Sequence, residues 1–173
     1  MVRAILDGRK TQTRRVVKPQ PTEETGWGGF EGMGYLPVKE DEEPLHCPYG
    51  RPGDHLWVRE NYTVNGDGMF YSADGSEIEP SEGAVWEGKE GGHPSIHMPR
   101  WASRITLEVT GVWVEQVQQI RNVDARAEGC DPPEGGNYPR IEYAKLWDRI
   151  NGKKFPWASN PWVWVVEFRR VKP

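Results

Sequence analysis

The chain has 173 residues, a formal net charge of −4, a mean hydropathy of −0.78 and nine tryptophans. That length suits a single domain, and the tryptophans supply core area that so polar a composition otherwise lacks. No run approaches the roughly 20 apolar residues of a membrane span, the first residues lack the apolar stretch of a signal peptide, and Cys47 and Cys130 belong to no CxxC. The expectation is a cytoplasmic protein with free thiols and no membrane contact.

Charge is distributed unevenly. Residues 1–20 hold Arg3, Arg9, Lys10, Arg14, Arg15 and Lys18 against Asp7 alone, whereas residues 40–43 read EDEE and the stretch from Asp74 to Glu90 is acidic. Local charge therefore says more about partners than net charge does.

In chain order, VRAILD suits a short helix closed by Gly8. The β-prone run from Thr11 to Val17 follows, with Thr11, Thr13 and Arg15 on one face and Gln12 and Arg14 on the other. Residues 19–50, rich in Gly and Pro, read as an irregular insertion. A turn at Pro52-Gly53-Asp54 leads to a strand from Leu56 to Arg59. Residues 65–98 read as a second irregular insertion with one hairpin about Asp74-Gly75.

The second half is more regular. Ile105, Leu107 and Val109 alternate with Thr106, Glu108 and Thr110, the pattern of a half-buried strand. Asn122 can cap a short helix, VDARAEG, that stops at Gly129. In IEYAKLWDRIN a helix would turn Ile141, Ala144, Leu146, Trp147 and Ile150 to one side. WVWVVEFRRV closes the chain as a strand, apolar first on both faces and then on one. With no internal repeat, these elements predict one α+β domain over residues 1–173: a small mixed β-barrel of five to six strands, flanking short helices and two long insertions.

The densest chemistry lies in GRKTQTRR, residues 8–15. A Thr hydroxyl is inert at neutral pH unless a base takes its proton. A Lys serves as that base only where burial or nearby cations lower its pKa. Arg9, Arg14 and Arg15 are such cations for Lys10, with Thr13 three residues on, and Arg15 could grip a phosphate or carbonyl. The bland alternative is a solvated strand edge with a surface lysine, and for Glu128 a solvated residue at the end of a helix. Arg59 and Glu60 read as structural braces and Trp57 as core. His93 and His97 have i,i+4 spacing, but Pro94 argues against a helix between them, and His46, Cys47 and His55 form no zinc pattern. No structural zinc and no cofactor are expected; a loosely held divalent ion would fit a nuclease-like version.

Basic residues near aromatics suit phosphate contacts and base stacking. Besides Arg9, Arg14 and Arg15, these are Arg100, Trp101 and Arg104, and then Arg169, Arg170 and Lys172. The acidic stretches favour a small ligand or a single flipped base over a long duplex.

GRKTQTRR, PGDHLWVRE, VDARAEG, the IEYAKLWDRIN helix and NPWVWVVEFRR together resemble the ASCH family, a branch of the PUA-like β-barrels. PRWASRITLEV and NPWVWVVEFRRV resemble its longer bacteriophage and prophage branch. Small bacterial members are N4-acetylcytidine amidohydrolases. The resemblance implies Thr13 as nucleophile, Lys10 as its base and Glu128 as proton donor, acting on a modified nucleoside. Other members are thought to bind or cleave RNA, so an RNA- or modified-base-binding module, or a ribonuclease, is the alternative. Relatives also carry a strand ahead of the first helix; either the barrel lacks it here, which would leave an unpaired sheet edge, or the chain begins at an internal Met.

Overall fold

The computed structural model describes residues 1–21, 26–30, 34–38, 46–81, 89–131 and 138–171, with 26–30 and 34–38 as backbone. Helix α1 (Val2–Leu6) leads into β1 (Gln12–Val16), then the hairpin β2 (Gly26–Phe30) and β3 (Gly34–Val38), then β4 (His55–Trp57). Three short strands follow: β5 (Tyr62–Asn65), β6 (Gly68–Tyr71) and β7 (Gly91–His93). The long strand β8 (Thr106–Gln116), helices α2 (Asn122–Ala127) and α3 (Pro139–Asn151), and β9 (Trp162–Val171) complete the chain.

The main sheet is antiparallel, in the order β1-β9-β8-β4. Its curl has a visible cause. Along β8 the odd residues Ile105, Leu107 and Val109 are buried, but the register shifts between Val109 and Gly111, and the buried residue is then Val112. Such a bulge bends the strand and adds twist. The expected barrel of five to six strands is instead a four-stranded half-barrel, with β1 and β4 at its edges among the described residues.

The sheet is covered on both faces. Val163 and Val165 of β9 pack with Val117, Ile120, Ala125, Tyr143 and Trp147, while Trp164 and Val166 pack with Val17, Val109 and Val112. Each large apolar side chain so buried contributes ~1.5–3 kcal/mol, so β9 alone anchors a large share of the core.

Part of the region 65–98 is regular. β6, β5 and β7 form a second sheet in that order, with a core of Tyr62, Val64, Met69, Tyr71, Ile78, Met98 and Ala102. The Asp74-Gly75 turn does bring Glu77 back against Phe70. β7 escapes a sequence reading because Gly91-Gly92-His93 has no β-propensity and is held by backbone pairing to β5. Within 19–50, likewise, β2 and β3 pair as a hairpin.

Three local expectations are corrected. β4 ends at Trp57, so Arg59 lies outside it. Asn122 does not cap α2. Arg121 is the N-cap, Asp124 accepts its backbone N–H at 3.2 Å, and the Asn122 side chain accepts the backbone N–H of Arg140. In α3 the helix starts two residues early and buries Pro139, Tyr143 and Trp147, an i,i+4,i+8 stripe that leaves Ile141 and Ile150 50% and 58% exposed. Among the described residues no helix is long and apolar enough to cross a membrane.

Candidate functional site

Backbone geometry brings the two halves of GRKTQTRR and ARAEG together. After α1, Gly8 turns at φ +71°, and the N–H groups of Arg9 and Lys10 both donate to the Ala4 carbonyl. Lys10 forms an antiparallel bridge with Glu128, and Thr11 N–H donates to the Ala127 carbonyl at 2.8 Å. Gly129 permits this approach. It sits at φ +82°, and a Cβ there would lie 3.0 Å from the Ala4 Cβ and 3.4 Å from the Lys10 Cβ.

Lys10 is 5% exposed and Glu128 3%. The Lys10 ammonium donates to Glu128 Oε2 at 2.6 Å, to the Gln12 carbonyl at 2.7 Å and to the Glu128 carbonyl at 3.0 Å. Arg14, whose side chain is fully buried, donates through Nη1 to Glu128 Oε1 at 3.3 Å and through Nε to Glu115 Oε1 at 2.8 Å. Gln12 accepts from Arg14 and donates to Glu167. Two cations thus face two carboxylates, which is what makes so much buried charge tolerable. One group is left over: Arg14 Nη2 is the single buried side-chain polar atom without a partner among the described residues.

Burial lowers the Lys10 pKa below its ordinary value, against the pull of Glu128, and Arg15 pushes the same way. Burial also raises the Cys130 thiol, with Glu128 adding to it, so this neighbour is a poor nucleophile at neutral pH. The Tyr143 phenol is held far above its usual range by burial and then by Glu128.

Thr13 of β1 is half-buried, and its hydroxyl has no hydrogen-bond partner among the described residues. It lines a cavity of about 30 Å³ with Arg14, Arg15, Glu128, Tyr143 and Asn151. That space holds one or two waters, or a small acyl group. The structure therefore puts Lys10 in contact with Glu128, and Glu128 in one cavity wall with Thr13 and Arg15. It makes no hydrogen bond between Lys10 and Thr13.

The remaining candidates lie elsewhere. Arg9 is exposed and paired with Asp7 at 2.9 Å and Asp131 at 2.7 Å. Arg104 donates to both oxygens of Glu60, to Asp74 and to Ser76, and stacks 3.8 Å from the Tyr71 centroid. Arg100 lies 5.5 Å from the Trp57 ring and Trp101 packs against the second core. Trp57 is half-buried rather than core, with Arg59 4.7 Å from its centroid as well. Arg169 pairs with Glu108 and Arg170 is exposed, while Lys172 and the EDEE run lie outside the described residues. Among the described residues, no three His, Cys, Asp or Glu side chains gather as a metal site would require. A cavity of about 470 Å³ is bordered by Arg3, Arg59 and Glu60, whose carboxylate is already held by Arg104.

Glu115, Gln12, Tyr143 and Asn151 are the site residues that sequence reasoning misses. Glu115 has a faint signal, a lone acid ending the apolar GVWV strand, but its partner Arg14 is 101 residues away.

No family model matches the chain, and no curated protein is significantly similar to it. Among solved structures, a crystal structure of protein EF3133 from Enterococcus faecalis V583, described by the family model DUF984, aligns at 14% identity and a TM-score of 0.43. The alignment covers 98% of this chain and 68% of that one. At that level the likeness carries no argument.

Proposed function

We propose that the protein hydrolyses the amide of an acylated nucleoside such as N4-acetylcytidine, with Thr13 as nucleophile, Lys10 as base and Glu128 as proton donor. The observation that carries this reading is the buried 2.6 Å contact of Lys10 with Glu128, the partner of the pair that lines one cavity with Thr13. The resemblance of the motifs to ASCH-type amidohydrolases supports it independently.

The pair supplies both proton roles at once. A proton passing from Lys10 Nζ to Glu128 Oε2 leaves a neutral amine and a carboxylic acid, and burial favours the neutral amine. The amine then takes the Thr13 hydroxyl proton as Oγ1 attacks the acyl carbon. Arg15, with Arg14 Nη2, offers N–H groups for the developing oxyanion. Glu128 gives its proton to the leaving N4 amine, which restores the ion pair and leaves an acyl ester on Thr13. A second proton shift within the pair lets Lys10 deprotonate water and Glu128 protonate Oγ1, releasing the acid.

One observation favours a binding module instead. All three Lys10 protons are already donated, none to Thr13, so chemistry requires Thr13 to gain a contact on substrate binding. Cytidine release from N4-acetylcytidine, measured by chromatography, separates the two readings. Release by the unmodified protein, abolished by Lys10→Met and Glu128→Gln, supports the hydrolase. No release from a folded protein overturns it. Lys10→Ala is a poorer probe, because it opens a void beside buried charges.

A further inference from the structure

Next to the small cavity runs a groove of about 360 Å³ that shares Arg14, Arg15, Ile150 and Asn151 with it. Its volume lies in the range of small-ligand sites, whereas 30 Å³ cannot hold a nucleobase. The groove is flanked by the half-buried rings of Tyr49 and Phe155. Its charged lining is cationic throughout: Arg14, Arg15, Lys18, Lys153 and Lys154. The last four are exposed, and none makes an ion pair among the described residues. Arg9 is matched by two aspartates and Lys145 by Glu142, while Arg51, Arg126, Arg149 and Arg170 are exposed without an ion pair among the described residues; what sets the groove apart is that four such cations border one concavity. Four unmatched cations around one concavity repel one another and focus a positive potential. Arg14, whose buried Nη2 has no partner among the described residues, is among the residues lining both spaces.

We propose that this groove is a phosphate subsite, in which Lys18, Lys153 and Lys154 with Arg15 hold a phosphate of the substrate while its acyl group reaches the Thr13–Glu128 cavity. The proposal rests on the hydrolase reading for what enters the cavity, but the phosphate site stands on the groove alone. Substrates are then acylated nucleotides, free or as one residue of a strand, in preference to the bare nucleoside. The rings of Tyr49 and Phe155 border the space left for the base and sugar.

Two measurements separate the claims. First, the binding of cytidine, cytidine 5′-monophosphate and a short single-stranded cytidine oligomer is compared by calorimetry, with the unmodified protein and with Lys153→Gln/Lys154→Gln. The expected result is at least about tenfold tighter binding of the monophosphate than of cytidine, a preference lost in the double variant and kept in Lys145→Gln. Equal affinity for cytidine and its monophosphate, or a preference unchanged in the double variant, overturns the subsite. An oligomer that binds tighter than the monophosphate, with a steeper salt dependence, identifies a strand as the source of the phosphate. Equal affinities identify the free nucleotide. Second, kcat/KM is compared for N4-acetylcytidine and its 5′-monophosphate. Hydrolysis of both at equal rates overturns the subsite and leaves the hydrolase standing. Phosphate-dependent binding without hydrolysis of either does the reverse.

Discussion

Among the described residues two arginines hold a buried glutamate, Arg14 with Glu128 and Arg104 with Glu60, and the two clusters are built to opposite ends. In the second sheet Arg104 meets Glu60 through two hydrogen bonds, takes Asp74 and Ser76 besides and lies over Tyr71. On the main sheet Arg14 meets Glu128 and Glu115 but keeps Nη2 unpartnered, next to a lysine whose pKa is lowered by burial and a threonine hydroxyl with no partner. A satisfied cluster is a clamp. A cluster that carries an orphaned donor, a perturbed lysine and an adjoining cavity holds groups that a ligand can engage.

The largest expected effect breaks that comparison if it fails. Removing one partner of a buried ion pair destabilises by ~3–5 kcal/mol. Arg104→Met is expected to lose that much by denaturant unfolding yet retain hydrolysis well below its melting temperature. Lys10→Met is expected to lose comparable stability together with all hydrolysis. Equal retention of activity in both would reduce the Lys10 cluster to a second clamp.

A smaller effect sharpens the geometry. Gly129→Ala places a side chain at φ +82° and 3.0 Å from the Ala4 Cβ, which costs ~1–2 kcal/mol for the left-handed backbone and separates Lys10 from Glu128. Stability and activity should fall together. A fully active Gly129→Ala protein would show that the close approach is dispensable.

The smallest effect is a pH dependence with a defined sign. Because the folded-state pKa of Lys10 is lowered from 10.5, the unfolded chain binds more protons at this site in the window between the two values. Stability conferred at this position therefore rises with pH from the depressed value up to 10.5. The stability difference between the unmodified protein and Lys10→Met should grow in that direction, whereas kcat/KM should fall as the pair loses the shared proton that Glu128 passes to the leaving amine. A flat difference across the window would mean that Lys10 titrates as an exposed lysine does.

Much of the main sheet was legible because its strands are long and half-buried. β9 spans the expected WVWVVEFRRV, and α1, β1 and the stop at Gly129 fall where local signals set them. The second sheet was not legible, since three- and four-residue strands, one of them Gly91-Gly92-His93, carry too little pattern. α3 misled for a related reason: its apolar residues are more numerous than its buried ones, and only packing against Val163 and Val165 selects Tyr143 and Trp147. At the site, Lys10 and Glu128 were named from motifs, but their contact comes from α2 closing on the chain after α1. Glu115 and the lysines of the groove come together only through tertiary structure.

The most direct test compares cytidine release from N4-acetylcytidine by the unmodified protein and by Thr13→Ala, with the melting temperature of each. The Thr13 hydroxyl makes no hydrogen bond among the described residues, so its loss should leave stability nearly unchanged while activity falls by at least about 10³-fold. The account is contradicted by undiminished release from Thr13→Ala, or by no release from the folded, unmodified protein.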